Sequence, residues 1–192
     1  MNTTATPVSP LAAPAAVARQ ALQLAQRVLD LAKAFAKPHD MCQANTQVAR
    51  CLKALHELSS AESHLDKALG WSALIPCVDV RVDLLCELSE LAVSQAEAAH
   101  GHDDPTCQGA LERARTHAFE AAQLAGQTTD AHWEVKVLLR VSDVFNRCGD
   151  HDDAAQLQNR AIALLGLQPA DAPAGGELPV EGWHVAGPSF LM

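Results

Sequence analysis

Lys136 and Arg140 stand four residues apart in a stretch of helical periodicity, so both cations fall on one helix face. Two donors at a fixed spacing can grip a carboxylate, such as the end of a partner's chain. The competing description is a solvated face on which the two like charges repel mildly across one turn. A second cluster of reactive types is HGHDDPTC (100–107), where His100, His102, Asp103, Asp104 and Cys107 offer imidazole, carboxylate and thiolate, all of them zinc ligands. Its spacing suits metal poorly. Two histidines in H-x-H do not share a helix face, and no second ligand pair follows at zinc-finger or H-E-x-x-H spacing. A polar loop with Asp104 capping the next helix accounts for the segment, so no metal and no cofactor is expected.

The six cysteines, Cys42, Cys51, Cys77, Cys86, Cys107 and Cys148, lie far apart without a C-x-x-C pair. Cys51, Cys86 and Cys148 fall on apolar stripes and read as small core residues. None sits in the context of a nucleophile, and no glycine-rich loop follows a strand, so catalysis and phosphate binding are not expected. The first residues, MNTTATPVSP, show neither the charge nor the apolar run of a secretory leader, and no run of eighteen apolar residues occurs. Reduced thiols in a cytoplasmic protein, with no membrane partner, are the expectation.

Positioning these groups falls to helices. The 192 residues suffice for one domain with a core of its own. Apolar residues make up 48%, aromatics only 4%, and tyrosine is absent. An apolar content built mainly from Ala and Leu fits closely packed helices rather than a sheet, which favours Val, Ile, Thr and aromatics. The class expected is all-α. The net charge of −9 excludes the basic footprint of a nucleic-acid binder. That charge is uneven: residues 1–70 carry seven basic and five acidic side chains, +2, and residues 71–192 carry seven and eighteen, −11.

Along the chain, residues 1–13 read as a disordered Pro/Thr/Ala-rich arm, 14–168 as a helical domain and 169–192 as a Pro/Gly-rich tail. A leading helix from Pro14 shows Val17, Ala21, Leu24, Val28, Leu31 and Phe35 as one apolar stripe and stops at Pro38. Asp40 is the expected cap of a second helix, with Val48, Leu52 and Leu55 inward. Ser59 and Ser60 open a third, ended by Gly70. A fourth turns Val82, Leu85, Leu88, Leu91 and Ala92 inward, and a fifth has Ala110, Ala114, Ala118 and Ala121 as its small face. The best-defined stretch, 135–167, is two amphipathic helices around a turn at Cys148, Gly149 and Asp150. The first presents Leu138, Val141, Val144 and Phe145; the second presents Ala154, Leu157, Ala161, Ile162 and Leu165.

With Leu138, Val141 and Phe145 at its large positions, Ala154 and Ala161 at its small ones, and a Gly-Asp-x-x-x-Ala turn, this stretch resembles the tetratricopeptide repeat family. The spacings Ala61/Ala68 and Ala114/Ala121 echo its seven-residue alanine interval. The resemblance implies a TPR-like α-solenoid: three antiparallel helix pairs preceded by one N-terminal helix, stacked so that each covers its neighbour's apolar face. In that family the first helix of each pair lines a concave groove. Here those helices would contribute Gln43, Gln47 and Arg50, then Arg81, Asp83 and Glu87, then Lys136, Arg140 and Asp143. Lys136 and Arg140 also fall where carboxylate-gripping members carry a Lys and an Arg, although the earlier pairs lack the remaining members of such a clamp.

The implied function is a scaffold or adaptor holding a peptide or helix of a protein partner. Three repeats behind a leading helix also resemble, in layout alone, the chaperones of bacterial type III secretion. A self-associating structural protein is the third reading, with the leading helix or the tail, through Trp183, Val185, Phe190, Leu191 and Met192, pairing two copies into a homodimer.

Overall fold

The structure, a computed structural model, describes residues 12–99 and 104–166, and every regular element among them is a helix. In order they are α1 (Ala12–Phe35), α2 (Pro38–Ala54), α3 (Leu58–Ser72), α4 (Val78–Ala98), α5 (Pro105–Ala125), α6 (Ala131–Arg147) and α7 (His151–Leu164). The all-α class follows from the composition. Residues 12 and 13, assigned to the arm by sequence, already belong to α1. The rest of the arm, the tail with its large apolar groups, and His100, His102 and Asp103 lie outside the described residues.

Each helix packs on the next in sequence, and α4 also meets α6. α4 is the centre of the fold. Its buried residues spread over two faces, the mark of a helix covered on more than one side, and leave one side polar. Its Leu84, Leu88 and Leu91 join a core with α1, α2 and α3, while Val82, Leu85, Cys86, Ala92 and Val93 join another with α5, α6 and α7. Alanines set the closest crossings. Ala61, Ala68, Ala114, Ala118, Ala121 and Ala154 are wholly buried, and Ala161 is nearly so. A methyl side chain lets two backbones approach with little rotamer entropy lost.

Local chemistry explains the boundaries. Pro38 ends α1 and also opens α2, because proline lacks only an N–H that the first turn would leave unused. Lys37 is therefore the N-cap, and Asp40, the expected cap, sits within the first turn, where its charge suits the helix dipole. Gly70 does not end α3, which continues to Ser72. The Ser72 hydroxyl donates to the Leu69 carbonyl at 2.7 Å, and Trp71 packs half-buried against the core. The Asp104 carboxylate accepts from Thr106 N at 2.8 Å, the capping role read from sequence. Asp130 does the same for Trp133 N at 3.0 Å. The α6–α7 turn passes through Gly149 at φ +86°, a conformation that favours glycine. From α5, Arg115 fastens that turn, donating to the Asp150 carboxylate at 2.6 Å and to the Cys148 carbonyl at 3.1 Å.

The stripe Val17, Leu24, Val28, Leu31 and Phe35 stays outside the core, each member more than half exposed. α1 is held to α2 by the neighbouring line Leu22, Ala25, Leu29 and Ala32. In α7, Ile162 and Leu165 are likewise exposed, leaving Ala154, Leu157 and Ala161 as its buried side.

Candidate functional site

α2, α4 and α6 share a charged face built on the spacing of α4. Asp83, Glu87, Glu90 and Glu97 recur at steps of four, three and seven, so their carboxylates line one side of the helix. From α2, Arg50 donates through Nε and Nη2 to Glu87 Oε1, and Lys53 Nζ approaches Glu90 Oε2 at 3.6 Å. From α6, Arg140 donates to Glu90 Oε1 at 3.0 and 2.8 Å, and its Nη1 reaches Asp83 Oδ1 at 3.4 Å. Farther along α6, Arg147 holds Glu97 in a two-pronged pair at 3.0 and 2.9 Å and lies 3.9 Å from Asp143. Glu90 is thus claimed from both flanks. The face reads basic, acidic, basic across its width.

These pairs tune one another. The hydrogen bond to Glu87 raises the pKa of Arg50 above its ordinary value. Burial pushes the Asp83 carboxyl upward, Arg140 pulls it back and Glu87 reinforces the rise. Arg140 is only partly exposed and already serves two carboxylates, so a partner's terminal carboxylate would have to displace groups of this chain. Lys136, four residues earlier on α6, is exposed.

Between α2 and α4 the face dips into a pocket of about 220 Å³, lined by Gln43, Gln47 and Arg50 on one side and Asp83, Leu84 and Glu87 on the other. Gln43 and Gln47 also border a second groove, of about 350 Å³, whose far wall is Val28, Leu31 and Phe35 of α1. Five of the nine anticipated groove residues, Gln43, Gln47, Arg50, Asp83 and Glu87, therefore share one pocket, and Arg140 joins them through Asp83. Arg81 does not, because its guanidinium turns to Glu120 of α5 at 2.6 Å. Asp143 lies beside Arg147, away from the pocket.

No protein-family model matches the chain, and no curated protein matches it. Among solved structures, the crystal structure of BtubC (BKLC) from P. vanneervenii is similar at 12% sequence identity. The match covers 89% of this chain and 98% of that one, with a TM-score of 0.27, a likeness too slight to bear on fold or function.

Burial raises the Cys42 and Cys148 thiols and pushes Cys86 up to about 12, the reverse of an activated nucleophile. Among the described residues, no three His, Cys, Asp or Glu side chains converge as a metal site, and Cys107 is buried beside Ala96 and Ala110. No helix among them is long and apolar enough to cross a membrane. Lys53, Glu90, Glu97 and Arg147 belong to the face and were not anticipated. The signal was present in the heptad intervals Asp83, Glu90, Glu97 and Arg140, Arg147, which mark facing rows on two neighbouring helices.

Proposed function

We propose that the chain is a TPR-like helical stack that acts as a non-catalytic scaffold or adaptor, binding a peptide or helix of a protein partner along the face of α2, α4 and α6. The observation that carries this reading is the pocket in which Gln43, Gln47, Arg50, Asp83 and Glu87 meet. Direct packing of α4 on α6, alternate helices in sequence, supports an arrangement in which every second helix lines one side.

The character of the partner follows from the pairing. Arg50, Arg140 and Arg147 already hold carboxylates of this chain, which leaves the Gln43 and Gln47 amides and the apolar floor at Leu84 as the surface on offer. Amides satisfy a partner's backbone N–H and C=O groups equally, whereas a strongly charged partner would have to break existing pairs. Binding should therefore depend weakly on salt.

The test is a photo-crosslinking amino acid placed at Gln47, with Asn159 on the exposed side of α7 as the control position. Irradiation in lysate of the source cell should give a discrete adduct from position 47 and none from 159, and the adduct should persist at raised salt. Equal labelling at both positions, or no adduct at 47, would overturn the groove.

A further inference from the structure

α1 carries two apolar seams and its own chain uses one. The inner seam packs on α2. The outer seam, Val17, Ala21, Leu24, Val28, Leu31 and Phe35, alternates steps of four and three, the 3.5-residue period of a coiled coil. Its five large members are 65%, 62%, 53%, 65% and 72% exposed. Single exposed hydrophobics are ordinary on a protein surface, but an unbroken line of them along a helix is not.

We propose that this outer seam pairs with the same seam of a second copy of the chain, giving a dimer joined by α1. Four observations favour a copy over another occupant. In heptad terms Val17, Leu24 and Leu31 take d positions and Ala21, Val28 and Phe35 take a positions; Val28 at a between Leu24 and Leu31 at d matches the preference of two-stranded pairs at the middle of the seam. The second is length: the seam runs from Val17 to Phe35, about five turns of helix, so two copies can meet along most of α1.

The third observation is a helix longer than its support. No described α1 side chain before Ala25 is fully buried, although the helix begins at Ala12. Turns without tertiary packing are marginal in water, and a partner helix supplies the missing side. The fourth is charge. α1 itself carries Arg19, Arg27 and Lys33 against Asp30 alone, so in a chain of net charge −9 two acidic molecules would meet along helices that are not acidic.

The full chain is weighed by sedimentation equilibrium or light scattering at up to about 100 μM, where even a Kd of a few micromolar leaves mostly dimer. The expected mass is twice the 20.4 kDa monomer. The double variant Leu24→Glu/Leu31→Glu should return a monomer with an unchanged far-UV spectrum, and Ile162→Glu, at an exposed apolar position on α7, should remain a dimer. A second arm does not rely on those charges. In a Cys77→Ser background, which removes an exposed thiol, Leu24→Cys/Val28→Cys should form a reducible cross-link between copies for either direction of helix pairing. A wild-type chain that stays monomeric would overturn the proposal, whether its seam is covered by the 169–192 tail or left for a helix of another protein. So would a dimer that survives both glutamates, or one that gives no cross-link.

Discussion

Glu134, Arg160 and Gly126 form a contact that no reading of spacing could reveal, since α6, α7 and the cap that follows α5 each supply one member. Glu134 is 5% exposed and pairs with Arg160. Its place in the first turn of α6 also sets the carboxylate against the positive end of the helix dipole. Gly126 supplies space: a methyl group there would lie 2.5 Å from Arg160 Nη2. Arg160→Ala should cost about 1–3 kcal/mol in urea unfolding, because a buried carboxylate loses its partner. Glu134→Leu/Arg160→Ala should cost less than that single change, since no charge is stranded. Gly126→Ala should act through the same pair and add little to Arg160→Ala. A double variant no milder than the single one would show that the pair is incidental. The α4 carboxylates were more legible. Asp83 and Glu87 follow from position on a helix face, whereas Glu90 and Glu97 emerge only when the seven-residue interval from Asp83 is followed along α4.

At the scale of elements, seven helices and most of their inner residues were legible, because strong 3.6-residue patterns survive whatever the tertiary context adds. Two lessons come from the misses. In α1, periodicity favoured the bulkier line ending in Phe35, but packing favoured the adjacent line with Ala25 and Ala32, which lets α2 approach. Two seams on one helix cannot be ranked by hydrophobicity alone. In α3, Gly70 reads as a stop, yet Trp71 and Ser72 find enough packing to carry the helix past it. The alanines spaced by seven, Ala61/Ala68, Ala114/Ala121 and Ala154/Ala161, are all buried. Ala154→Leu, at a wholly buried crossing, should cost about 1–3 kcal/mol through overpacking. Ala155→Leu, on the exposed side of the same helix, should leave the melting temperature nearly unchanged. Equal melting of the two variants would show that α7 does not pack on α6 through the alanine face.

For the whole molecule, contacts run mainly between consecutive helices, so protection should grade from the ends toward the middle. In native-state hydrogen exchange, amides of α4 and α5 should be the slowest and those at the start of α1 and the end of α7 the fastest. Uniform protection along the chain would contradict a fold assembled from neighbour to neighbour. What the proposed groove would recognise is not legible in the sequence, because a partner is recognised by an exposed surface that the fold itself does not constrain.

α4 belongs to both cores, and that has a consequence for dissection. A cut in the α3–α4 connection would take one wall from the first core, and a cut after α4 would take one wall from the second. Neither fragment would keep a closed interior. Each would expose the complement of the other. The chain is therefore poor material for trimming to a minimal domain but well suited to a split reporter, in which two inert pieces regain structure only by meeting.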